Sequence, residues 1–299
     1  MKDNKIFQGI YSAIFSVYDK DMHVKKDTVR KLVNYQLAGG VQGFYVGGNT
    51  GECTVLPART RKEMLEAVVE ANEGRGKIIV HVGAGHIEEV YELIDHANAV
   101  GVDGVSSLPP ALQKYYDTDE IVEYYKIIAK KSKAPVLSYI TNIFDFNSVA
   151  FAERIMQIEN VIGLKITRPD YYEFGKIARL NGGNINVLNG PDEMMICGLS
   201  CGADGAVGST YNILPKTAVS LYDNFTAGNI SAAMDRQAKL NRFIDIVVGK
   251  SMAWWKAVLS IWGYDMGHTV EPRHIPDAGE LKILEKKLAD VGFYGPQSD

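Results

Sequence analysis

The stretch Asn160-Val161-Ile162-Gly163-Leu164-Lys165-Ile166-Thr167 is apolar and β-branched, free of proline, and carries a single lysine near its end. That composition reads as a short buried strand. Alternation puts Val161, Gly163, Lys165 and Thr167 on one face, with Gly163 leaving space beside the lysine. An ammonium group there is costly unless it is paired, loses its proton or does chemistry. Only the neutral amine is nucleophilic, and desolvation lowers a lysine's pKa. Lys165 is therefore either a nucleophile for a carbonyl substrate or a side chain snorkelling from a strand end. Asp170 then opens a helix that Gly182-Gly183 closes, so the stretch is the strand of one strand-then-helix unit.

The same unit recurs on both sides of it. Upstream, apolar runs at 9–15, 43–46, 77–82, 104–108 and 135–140 read as strands. The helices between them carry their own signals: Asp27 as an N-cap, Thr60 with Glu63 and Asp117 with Glu120 as capping boxes, a start near Asn147, and stops at Gly39-Gly40, Gly74 and Gly101. Downstream, 186–188 and 204–209 complete eight units at intervals of roughly 20 to 35 residues, which fits a (β/α)8 barrel. A doubly wound sheet also alternates strand and helix, but no G-x-G-x-x-G follows the first strand. After Leu221 the pattern turns all-helical, over 230–248, 252–262 and 278–291. The expected organisation is a barrel over 1–225 that carries the active site and a helical appendage over 226–299 packed on it. Trp254, Trp255 and Trp262 in that tail read as packing or interface residues.

The 299 residues are 46% hydrophobic and 23% charged with a net charge of −4, so no broad basic field is offered to nucleic acid or to an anionic membrane. No apolar run approaches the roughly 18 residues that span a bilayer, and the first residues lack a signal-like apolar stretch; a cytoplasmic protein is expected. Cys53, Cys197 and Cys201 contain no C-x-x-C and read as free thiols. A metal-dependent aldolase needs clustered His or carboxylate ligands, and only His81 and His86 lie close together, so no metal is expected.

In a barrel the chemistry sits at the C-terminal ends of the strands. After the second strand comes Gly47-Gly48-Asn49-Thr50-Gly51, either a plain turn or a cradle of N–H groups for an anion. It lacks the Gly-Lys-Ser/Thr ending of a nucleotide loop, so a carboxylate suits it better than a triphosphate. Tyr139 ends the fifth strand as a packing residue or a proton carrier. Asp192 and Glu193 follow the seventh strand, as ligands for hydroxyls or as helix caps. Ser209 and Thr210 close the eighth. Brought to one mouth, these groups suit a polyhydroxylated 2-oxo acid.

The segments Gly47-Gly48-Asn49-Thr50-Gly51-Glu52, Tyr139, Gly163-Leu164-Lys165, Gly202-Ala203-Asp204-Gly205 and Gly208-Ser209 resemble the N-acetylneuraminate lyase and dihydrodipicolinate synthase superfamily. Asn189-Gly190-Pro191-Asp192-Glu193 and Gly208-Ser209-Thr210-Tyr211-Asn212 are most similar to the lyase branch. The resemblance implies a cofactor-free class I aldolase, usually a homotetramer, cleaving N-acetylneuraminate to pyruvate and N-acetylmannosamine. Lys165 would be the Schiff-base lysine and Tyr139 the proton-transfer residue. Asn49 and Thr50, on the loop with Gly48, would meet the substrate carboxylate. Thr167, Gly190, Asp192, Glu193 and Ser209 would meet the sugar hydroxyls. The alternatives are another 2-keto-3-deoxy sugar acid aldolase or a non-catalytic sugar-acid binder. The chain departs from the pattern at Asn49, where the lyases commonly have serine. It departs again at Ile140-Thr141-Asn142, where Asn-Ile-Pro is usual, and at Pro109-Pro110-Ala111-Leu112, where aromatics usually follow the first proline and here Tyr115-Tyr116 come later. The synthase branch carries an arginine soon after its tyrosine; none occurs here between Tyr139 and Arg154, which argues against that branch.

Overall fold

The computed structural model describes residues 3–110, 116–142 and 147–299, without the side chain of Gln297. Eight strands form a closed parallel barrel in sequence order. They are β1 Gly9–Ala13, β2 Gly43–Val46, β3 Lys77–His81, β4 Gly104–Ser107, β5 Val136–Thr141, β6 Val161–Thr167, β7 Asn186–Asn189 and β8 Gly205–Gly208. The crossovers are α1 Lys26–Ala38, α2 Ala58–Asn72, α3 Ile87–Val100, α4 Thr118–Lys131, α5 Ser148–Ile155, α6 Tyr171–Ile177 and α7 Met195–Ser200. The eighth barrel helix is α8 Pro215–Thr226, and the helical extension follows as α9 Ile230–Val247, α10 Met252–Ile261 and α11 Ala278–Asp290. This is the (β/α)8 barrel with a C-terminal helical extension that the strand-then-helix pattern predicts.

Two apolar layers hold it. Phe7, Tyr11, Tyr45, Ile79, Leu137, Ile162, Leu188 and Val207 fill the barrel interior. A larger layer of Val, Ile and Leu lies between strands and helices. The strand carrying Lys165 departs from simple alternation. Its register with β5 jumps from Val136 opposite Val161 to Leu137 opposite Gly163. Ile162 is thus an extra residue, a bulge. It turns Ile162 into the interior cluster, while Val161 joins the outer one. The expectation that Val161 shares the lysine's face is therefore corrected; alternation resumes only at Gly163. Nor does Gly163 leave space. A Cβ there would sit far inside van der Waals contact of the Asn186 carbonyl oxygen on β7, so the glycine lets two backbones approach.

The helix caps fall out by the same comparison. Asp117 with Glu120 forms the expected box, and Asn147 and Asp170 cap α5 and α6. Thr60 and Glu63 do not cap: α2 starts earlier, behind Pro57. The Thr60 hydroxyl instead donates to the Met22 carbonyl at 2.8 Å, and the Glu63 carboxylate accepts from the Val24 N–H at 3.3 Å. Asp27 lies within the first turn of α1, whose N-cap is Lys25. No helix among the described residues is long and apolar enough to cross a membrane.

Candidate active site

Lys165 points into the mouth of the barrel from β6, in register with Tyr139 on β5, and is only 5% exposed. Its Nζ lies 4.2 Å from the centroid of the Tyr139 ring and 4.4 Å from that of Tyr45. Two aromatic walls replace water around the amine. Burial pulls its pKa from the usual 10.5 to about 8, against the opposing pull of Asp192 and the Cys53 thiol. Burial also pushes the Tyr139 phenol up to about 12, with the Thr167 hydroxyl working against it. That hydroxyl donates to the phenol oxygen at 3.3 Å.

The loop after β2 closes one side of the mouth. Gly47 takes a positive φ of 68°, and a Cβ on Gly48 would meet the Tyr45 ring at 2.6 Å. The Thr50 and Ser209 hydroxyls pair at 2.6 Å, tying this loop to the end of β8. The Cys53 thiol donates to the Asn49 Oδ1 at 3.4 Å, which leaves the Asn49 amide N–H groups as donors beside Tyr139.

Asp192 is buried opposite. Its Oδ2 accepts from both the backbone N–H and the hydroxyl of Thr210 at 2.8 Å, while Oδ1 has no partner among the described residues. Burial raises its pKa to about 6. The carboxylate fits because position 208 is glycine: a Cβ there would strike Asp192 Oδ1. Gly190 makes the same allowance for the Thr167 hydroxyl. Asp192 thus spends Oδ2 on Thr210, just after β8, while it also stands in the first turn of the short helix after β7. Thr167, Gly190, Asp192, Glu193 and Ser209 line one cavity of about 410 Å³. The structure thus gathers every site residue read from the sequence around one barrel mouth.

Several neighbours were not legible as site residues. Trp255 of α10 and Asn241 of α9 line the same cavity. Gln237 and Asn241 of α9 donate to the backbone carbonyls of Asp192 and Glu193 at 2.9 and 3.3 Å. Glu52, at φ 63° and 1% exposed, ends the loop after β2. Its carboxylate accepts from Tyr18 at 3.0 Å, from Lys256 of α10 at 2.6 Å and from Arg273 at 2.7 Å. The signal was available: Lys256 is the single charge in the apolar helix MAWWKAVLSI. Under the loop, the Arg61 guanidinium donates to the carbonyls of Gly83 and His81, and His81 Nε2 accepts from the Leu108 N–H at 3.0 Å. Burial, with Arg61 and Lys165 nearby, holds His81 neutral.

Among the described residues no three His, Cys, Asp or Glu side chains come together as a metal site. The atypical segments of Ala111, Leu112 and Tyr115, and of Ile143 to Phe146, lie outside the described residues; Tyr116 is exposed.

The chain is similar to known proteins in sequence and in fold. An N-acetylneuraminate lyase from Rhizobium meliloti is 32% identical over 95% of both chains. One from Mediterraneibacter gnavus is 30% identical over 91% of this chain and 88% of its own. The solved Proteus mirabilis N-acetylneuraminate lyase superposes with a TM-score of 0.90 at 28% identity, covering 96% of this chain and 99% of that one. The Ruminococcus gnavus sialic acid aldolase gives 0.89 at 27% identity, over 95% and 97%. The model of the dihydrodipicolinate synthetase family matches residues 6–287, nearly the whole barrel and its extension, and the chain belongs to that family.

Proposed function

We propose that this chain is a class I aldolase that cleaves N-acetylneuraminate to pyruvate and N-acetylmannosamine and also runs the reverse condensation. The observation that carries the proposal is Lys165, a buried amine with a pKa near 8, set 4.2 Å from the ring of a buried tyrosine. The naming of the Rhizobium meliloti relative as an N-acetylneuraminate lyase supports the choice of substrate.

In the proposed reaction the substrate carboxylate sits on the Asn49 and Thr50 side chains and the backbone N–H groups from Gly48 onward. The neutral Lys165 amine adds to the C2 carbonyl. Tyr139 gives its proton to the departing hydroxyl, which leaves as water, and a protonated imine forms. The cation so created, its nitrogen beside the Tyr139 ring, stabilises the phenolate. That phenolate then takes the proton of the C4 hydroxyl. The C3–C4 electron pair flows to the imine, releasing the aldehyde and leaving an enamine. Protonation at C3 and addition of water return pyruvate and the free amine. Thr167, Gly190, Asp192, Glu193 and Ser209 hold the hydroxylated tail. Residues 1–225 carry the chemistry and 226–299 close its acceptor side, in a homotetramer working in the cytoplasm.

The test is pyruvate release from a panel of 2-oxo sugar acids. Highest kcat/KM on N-acetylneuraminate supports the proposal. Preference for another 2-keto-3-deoxy acid redirects it to a sister aldolase, and no pyruvate from any member makes the chain a binder.

A further inference from the structure

We infer that the outer wall of the cavity, built by α9 and α10, is a subsite for a neutral, acyl-bearing terminus of the sugar acid and that it rejects an anionic one. The inference rests on the reaction proposed above and deepens it.

Gln237, Asn241, Ile244, Asp245 and Val248 recur at spacings of four, three, one and three residues, so they share one face of α9 and its end. The first two are spent on the barrel. Gln237 Nε2 donates to the Asp192 carbonyl at 2.9 Å and to Asn241 Oδ1 at 2.9 Å, and Asn241 Nδ2 donates to the Glu193 carbonyl at 3.3 Å. These bonds fix α9 over the turn that carries the hydroxyl-binding carboxylates. What remains to face the cavity is Ile244, Val248 and Trp255, with Asp245 beside them. On that wall Asp245 alone offers a terminal hydroxyl an acceptor, whereas the methyl of an ester packs against Ile244, Val248 and Trp255.

The charges point the same way. Asp192, Glu193 and Asp245 all line the cavity, and no Lys, Arg or His does so among the described residues. The inner carboxylate is no surface accident, since Asp192 is 7% exposed and its Oδ1 is unpartnered. A terminal phosphate, carrying about two negative charges, would enter a site with three carboxylates and no counter-ion.

The experiment compares three substrates in one pyruvate-release assay: N-acetylneuraminate, its ester acetylated on the terminal carbon, and its phosphate on the same carbon. The ester is expected to match or exceed the parent in kcat/KM, by up to about fourfold if one methyl is fully buried. The phosphate is expected to fall at least about tenfold below the parent. Asp245→Lys should raise the phosphate-to-parent ratio, and Val248→Asp should lower the ester-to-parent ratio. Ratios within one variant are immune to partial loss of folded protein. Phosphate cleaved as well as the parent, or an ester cleaved tenfold more slowly, overturns the subsite while leaving the aldolase proposal standing. Absence of pyruvate from all three overturns both.

Discussion

Replacing Lys165 by methionine should abolish activity and make the protein more stable at neutral pH. The folded-state pKa of about 8 lies below the ordinary 10.5, so the unfolded chain holds the proton more tightly than the folded one. Below pH 8 the buried ammonium is fully charged and destabilises the fold by the whole difference. At 1.36 kcal/mol per pH unit that is about 3 kcal/mol. The penalty shrinks as pH rises through 8 and vanishes above 10.5. Methionine has similar length, needs no partner and fills the slot between the Tyr45 and Tyr139 rings. The attraction of Asp192 is already contained in that shift, so the expected stabilisation is about 1–3 kcal/mol at pH 7, the lower end allowing for imperfect packing of the methionine. Urea unfolding followed by circular dichroism, for both proteins at pH 7 and pH 10.5, measures it. The variant should unfold at higher urea at pH 7 and lose most of that advantage at pH 10.5. A variant less stable than the parent at pH 7, or one equally stabilised at both pH values, would show that Lys165 is not a strained buried charge.

The same pKa predicts that the initial rate of borohydride-trappable adduct formation with pyruvate climbs from pH 6 and levels off above about 8, as the amine loses its proton; a flat profile contradicts it. Glu52→Gln should destabilise by about 3–5 kcal/mol, since it leaves Lys256 buried without its counter-ion and weakens the hold on Arg273. The urea midpoint reads that, and a rise in KM for pyruvate should accompany it if the loop carrying Asn49 shifts. Asp192→Ala and Glu193→Ala should each lower cleavage of the sugar acid and leave pyruvate trapping on Lys165 nearly intact; equal losses in both assays would place these carboxylates at the reacting carbon instead.

Much of the fold was legible because each strand is a short apolar run and each helix carries a cap or a glycine stop. The tail helices 230–248, 252–262 and 278–291 come out within a residue at each end. The failures share one cause, which is that distant partners override local signals. Thr60 and Glu63 make a sound capping box in sequence, yet both side chains are drawn to residues 22–24. Strict alternation places Val161 beside Lys165, but pairing with β5 inserts a bulge at Ile162. Gly163 reads as room for a side chain and is room for a neighbouring backbone. At the site, Lys165, Tyr139, the loop 47–51 and the pair Asp192-Glu193 were legible because strand ends converge once a barrel is assumed. The contribution of α9 and α10 was not. Nothing local in Gln237, Asn241 or Trp255 says that they reach across to the turn after β7. Glu52 hid inside a motif that reads as a turn, its meaning set by a lysine 204 residues away.

The central claim is a covalent one, that Lys165 itself bonds to the substrate's carbonyl carbon. Borohydride reduction in the presence of pyruvate, followed by peptide mass mapping, addresses it directly. One stable pyruvate-derived adduct is expected on the peptide containing Lys165, and none in Lys165→Arg, whose guanidinium stays charged at any workable pH. An adduct mapped to any other lysine, or active enzyme that pyruvate and borohydride neither label nor inactivate, would contradict it.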